Sequence, residues 1–122
     1  MEDASTFQLM CELGNTLRKH NQLELAVQLY KKSLLSLKQR FKNTYLQQRD
    51  TSRMIINIAS TEFMRNNISE ALRYYEHAIV VLNQTSVGVA DISKWIELAK
   101  VHVSVGHIYR QFNDKIGAFQ QF

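Results

Sequence analysis

The chain has 122 residues, 45% of them apolar, 21% charged and 10% aromatic, with 15 Lys and Arg against 11 Asp and Glu for a net charge of +4. One domain of this length can bury roughly two thirds of the surface its unfolded state exposes, and a single cysteine, Cys11, excludes an intrachain disulfide framework and fits a reducing compartment. The longest aliphatic stretch, Ala78 to Leu82, falls far short of a membrane span, and the amino terminus opens acidic, so neither membrane association nor secretion is expected.

With no Pro and four Gly, the sequence holds almost no breaks, and long helices are expected. Phe7, Met10, Leu13, Gly14 and Leu17 recur at three and four, which places them on one face of a first helix. Leu23, Ala26, Val27, Tyr30 and Leu34 do the same for a second. Ile55, Ile58, Ala59 and Phe63 predict a third, and Ile68, Ala71, Leu72, Tyr75, Ala78 and Ile79 a fourth. Trp95, Leu98, Val101, Val105, Ile108, Tyr109 and Phe112 form the stripe of a fifth, and Ile116, Ala118, Phe119 and Phe122 begin a sixth.

Asn21, Asn66 and Asn113 sit between the members of each pair. Asn tolerates the left-handed conformation that ends a helix, so each site predicts a tight turn and the chain reads as three helix hairpins. Asn21 with Glu24 and Asn67 with Glu70 have the spacing of capping boxes. Residues 35–51 and 84–98 read as extra helical turns around short loops, with Asp91 as a cap for the fifth helix.

The three hairpins align on Ala26, Ala71 and Ala118, 45 and 47 residues apart. Four residues after each Ala stands a ring, Tyr30, Tyr75 or Phe122, and about a dozen before it a large-small pair, Leu13-Gly14, Ile58-Ala59 or Val105-Gly106. The small residue lets the second helix approach and the ring fills the space beside it. On these residues the chain resembles the tetratricopeptide repeat family, in a long-helix variant, because its spacing exceeds the family's 34-residue unit. Glu62 departs from the pattern, with Phe63 one residue late, and His102 stands where a large apolar residue is usual. The Pro that closes a repeat is replaced by Lys38 and Asn83.

The resemblance implies an all-α, right-handed superhelical array of antiparallel helix hairpins, a single domain over residues 1–122 with repeats at about 7–40, 52–85 and 99–122. The last hairpin would be incomplete or uncapped, and the chain a fragment of a longer array. It further implies that the first helix of each hairpin lines a concave peptide-binding groove. Its residues here would be Asn15, Arg18, Lys19, Arg53, Ile56, Asn57, Ser60, Met64, Lys100, Val103, His107 and Arg110. Family members that hold the acidic tail of heat-shock chaperones use five polar positions. Asn15, Asn57 and Lys100 match three of them, while Cys11 and Ser104 replace the two cations.

Catalysis finds no support. The glycines form no phosphate loop, His102 and His107 are too far round a helix from one another for a metal motif, and nothing places a base beside Cys11. No catalytic residue, metal or cofactor is expected. Between Lys31 and Arg53 seven cations face one acid, Asp50, with Phe41 and Tyr45 among them. That run reads as a solvated face before a nucleic-acid strip. The expected partner is an acidic, partly hydrophobic peptide or helix of another protein, bound by an adaptor in the cytoplasm or nucleus. Self-association through the uncapped last helix is a further expectation.

Overall fold

The computed structural model describes the backbone of residues 4–40, 45–84 and 92–120, and the side chains of residues 8–37, 50–84, 92 and 94–114. Its elements are α1 (Ala4–Lys19), α2 (Leu23–Arg40), α3 (Tyr45–Met64), α4 (Ile68–Gln84) and α5 (Ile92–Gln120), and the described residues include no strand. The expected all-α architecture of helix hairpins is thus the observed one. The second and third helices run to Arg40 and from Tyr45, as the missing Pro predicts. Asp91, read as a cap, lies outside the described residues.

The first two turns are built alike. Asn21 and Asn66 take positive φ of 62° and 67°. In each, two N–H groups turn back onto the end of the preceding helix: Asn21 N–H to Arg18 O and Gln22 N–H to Leu17 O, then Asn66 N–H to Phe63 O and Asn67 N–H to Glu62 O. These are Schellman motifs, which satisfy carbonyls that the helix end would leave bare. They also correct one expectation. Ala26 N–H donates to Gln22 O, so Gln22 rather than Asn21 caps α2, and Asn21 is occupied in ending α1. Asn67 does cap α4, but the Glu70 carboxylate pairs with Arg73 at 2.7 Å.

Inside the hairpins the small residues work as their positions require. A Cβ on Gly14 would stand 2.5 Å from the Tyr30 ring, so this ring needs the glycine. Tyr30, Ala26, Ala59 and Ala71 are fully buried. One core cluster joins Ala26, Val27, Tyr30, Met54 and Ile58; a second joins Ile55, Ala59, Ala71, Tyr75, Ala78, Leu82, Leu98, Val101 and Ile108. Leu34 and Tyr74 pack against both, so the core runs on from one hairpin to the next, as in a solenoid. Each large aliphatic side chain buried there contributes roughly 1.5 to 3 kcal/mol.

The third hairpin is the principal departure. α5 continues through Asn113 for 29 residues, about 43 Å at 1.5 Å per residue. Asn113 has no positive φ, and no separate sixth helix forms among the described residues. Its apolar stripe divides accordingly. Leu98, Val101 and Ile108 are buried against the second hairpin, whereas Trp95, Tyr109 and Phe112 are about half exposed, at 55%, 48% and 54%. Leu13, also expected inside, is 53% exposed.

Candidate peptide-binding groove

The first helices α1, α3 and α5 come side by side through two equivalent contacts. Arg18 Nη1 donates to Ser60 Oγ at 3.1 Å, joining α1 to α3, and the Phe63 ring meets His107 edge-on at 6.3 Å, joining α3 to α5. Arg18 and Phe63 stand four residues after Gly14 and Ala59, and Ser60 and His107 one residue after Ala59 and Gly106. The same two helix positions therefore link successive units, once with a guanidinium and a hydroxyl and once with two rings. Asn57 Nδ2 reaches Cys11 Sγ at 3.8 Å and strengthens the first link.

These contacts change what several expected groove residues can offer. Asn15 is half-buried and its Oδ1 accepts from the Tyr30 hydroxyl, so it braces the first hairpin. Arg18 and Ser60 hold one another, and Ile56 is half-buried against the second core cluster. Lys19, Arg53, Met64, Lys100, Val103, His107 and Arg110 are exposed. Lys100 Nζ lies 3.9 Å from Glu97, and His107 Nε2 lies 3.1 Å from the Gln111 amide.

Between α3, α4 and α5 lies a cleft of about 310 Å³, lined by Phe63, Tyr75, Val103, Ser104, His107, Ile108 and Arg110. Its origin is the Glu62 departure. A one-residue offset turns an aromatic side chain about 100° round a helix, which takes Phe63 out of the hairpin interior and sets it at the α5 contact. Glu62, left in the interior position, is buried and satisfied by Arg65 at 2.8 Å. Tyr75 and Ile108 are cleft walls that the expected site residues did not include. The signal for Phe63 was present as the break in pattern; Tyr75 and Ile108 read as core and serve in both roles.

Burial pushes the Cys11 thiol above its ordinary 9.0, with Glu12 adding to the rise against the pull of Arg18, so the thiol is neutral at physiological pH. Burial likewise raises the Tyr75 phenol, against its hydrogen bond with Ser104 and the charge of Arg18. It raises Tyr30 too. The described residues hold no group of three or more His, Cys, Asp or Glu placed to bind a metal ion, and no helix among them is long and apolar enough to cross a membrane.

Residues 51–86 match the model of the tetratricopeptide repeat family. That segment is similar to a tetratricopeptide repeat. This match covers most of α3 and all of α4, the hairpin whose Asn66 turn and Ala59, Ala71 and Tyr75 packing are described above. Tetratricopeptide repeats are protein–protein interaction modules, typically scaffolds without enzymatic activity. Neither the curated proteins nor the solved structures hold a significant match to the chain.

Proposed function

We propose that this chain is an adaptor that binds an acidic, partly hydrophobic peptide or helix of a partner protein along the face made by α1, α3 and α5. The observation that carries the reading is the cleft itself. Phe63, Val103 and Ile108 give it apolar walls, Arg110 and His107 lie at its edge, and exposed Arg53 and Lys19 extend the positive charge toward α1. An apolar anchor would seat between the helices while carboxylates beside it meet the cations, which steer encounter and fix register. Glu12, Asp50, Glu97 and Asp114 are the acids left unburied on the described parts of these helices; Glu97 stands against Lys100 and Asp50 has a partner of its own.

The chaperone-tail alternative retains Lys100, but Asn15 is engaged by Tyr30, and Cys11 and Ser104 bring no charge where two cations would stand. The nucleic-acid alternative rests on a run of which Lys38, Arg40, Lys42, Arg49, Phe41 and Tyr45 have side chains outside the described residues. A cytoplasmic or nuclear location accompanies the adaptor reading, as does one domain made of repeats at about 7–40, 52–85 and 99–122 within a longer array.

The test uses fluorescein-labelled peptides of about ten residues with a Phe or Leu flanked by Glu, against the same peptides with Lys for Glu, followed by anisotropy. The acidic set should bind at least tenfold more tightly, and Arg53→Glu with Arg110→Glu should remove that preference while leaving the melting temperature nearly unchanged. Equal binding of both sets contradicts the reading. Loss of affinity on amidating the terminal carboxylate would favour the chaperone-tail alternative, and a steep salt slope with generic oligonucleotides the nucleic-acid one.

A further inference from the structure

The cleft between α3, α4 and α5 is polarised from floor to rim. Tyr30 and Tyr75 hold the same position in their hairpins, four residues after Ala26 and Ala71. The Tyr30 hydroxyl donates to Asn15 Oδ1 and is thus engaged within its own hairpin. The residue of α3 equivalent to Asn15 is Ser60, whose hydroxyl donates to Asn57 O and accepts from Arg18. Tyr75 bonds instead to Ser104, on α5. Ser104 Oγ donates its single proton to Lys100 O at 3.0 Å, so the Tyr75 hydroxyl is the donor of that pair. Both protons are thereby committed, and what these two residues can still offer the cleft they line is oxygen lone pairs. Arg110, at the exposed edge, offers only donors.

We propose that the cleft takes one aromatic side chain of the partner peptide that carries a hydrogen-bond donor on its far edge, a phenol or an indole, with acidic residues of the peptide beside it on Arg110. This rests on the adaptor reading above and names the anchor of that same site. The volume of about 310 Å³ is about twice the ~150 Å³ that holds one benzene ring, so a substituted or bicyclic ring enters whole. Val103 and Ile108 give it aliphatic walls, and Phe63, already edge-on to His107, adds the ring geometry that a further aromatic extends. At the floor a donor on the ring meets the lone pairs of Tyr75 and Ser104. A carboxylate or carbonyl there would face lone pairs alone and lose its water without a proton in return, which keeps the acids of the ligand at the rim. An unsubstituted ring fills the space but leaves those oxygens without the partner that water gave them.

The test gives the labelled peptides five anchors, Tyr, Trp, Phe, Leu and O-methyltyrosine, each flanked by Glu or by Lys, and follows anisotropy on the full chain. Tyr and Trp should bind about fivefold more tightly than Phe, the worth of one neutral hydrogen bond, and that ratio should hold within both flank sets. O-methyltyrosine keeps the oxygen but lacks the proton, and should bind no better than Phe. Tyr75→Phe with Ser104→Ala removes both floor oxygens and should bring the Tyr-to-Phe ratio to about one, with the Glu-over-Lys preference kept and folding checked by melting temperature. Phe or Leu binding as tightly as Tyr and Trp, O-methyltyrosine matching Tyr, or a ratio that survives the double variant would each overturn the anchor proposal. Loss of the Glu preference with the Tyr-to-Phe ratio intact would overturn the acidic reading and leave the anchor standing, and failure of every peptide to bind would overturn both.

Discussion

Asn66 and Asn113 stand at the same register, seven residues after Ala59 and Gly106, and the chain turns at the first and runs straight through the second. An Asn that tolerates the left-handed region permits a turn without compelling one, since a single residue there gains little unless its neighbours pack. Two residues after Asn21 and Asn66 come Leu23 and Ile68, both half-buried, with Ile68 packed on the second core cluster. At the same distance from Asn113 stands Lys115, and Ile116 falls one residue late. The comparison teaches that this turn is a tertiary feature: the apolar residue just after it, and a closed helix face behind it, decide whether Asn ends the helix.

The largest effect expected from breaking this comparison lies at the paired glycines. Gly14→Leu drives a side chain into the buried Tyr30 ring and should cost about 3 kcal/mol or more in chemical denaturation. Gly106→Ala meets open space and should gain up to about 1 kcal/mol from helix propensity. Equal losses at the two sites would mean that α5 is covered within its own chain. Next comes Ala71→Leu, which overpacks a fully buried site and should cost roughly 1 to 3 kcal/mol by thermal unfolding.

The asparagines follow. Asn66→Ala forces Ala into a φ of 67° and should cost about 1 kcal/mol, whereas Asn113→Ala sits within a helix and should gain a few tenths of a kcal/mol. Matching losses in the two variants would place a turn at both. Lys115→Ile sharpens the contrast by supplying the missing apolar residue, and amide exchange around Asn113 should then quicken as α5 opens into a turn.

The smallest effect is one of pH. Cys11, Tyr30 and Tyr75 are neutral when protonated, and burial holds all three above their ordinary 9.0 and 10.0. Unfolding frees them to ionise, so their contribution to stability is intact below about pH 9 and is lost as pH rises through the raised values. Urea midpoints at pH 7 and pH 8.5 should agree on this account, with a decline above pH 10. Cys11→Ser should remove the earliest part of that decline.

Much of the fold was legible in the sequence because it rests on local spacing. Gly14, Tyr30, Ala59, Ala71 and Tyr75 revealed the hairpins through their offsets, and Asn21 and Asn66 marked the turns. What was not legible depends on the surroundings. Trp95, Tyr109 and Phe112 have the periodicity of core residues, and only the open third hairpin leaves them half exposed. The groove positions were readable as positions, yet the demand of Tyr30 for Asn15 and of Ser60 for Arg18 is set by contacts across helices. The cleft at Phe63 arises where the pattern breaks, which periodicity alone reports as a defect.

The most direct test of the account is a distance along α5. Nitroxide labels at His102→Cys and Gln120→Cys, in a Cys11→Ser background diluted with unlabelled chain, lie 18 residues apart on one helix and should give about 27 Å by pulsed electron resonance. A turn at Asn113 would bring them to roughly 10 to 15 Å, with helix axes 8–10 Å apart. A narrow distribution near 27 Å is the expected result, and a dominant peak at the shorter distance would contradict the straight helix and the open Gly106 face together.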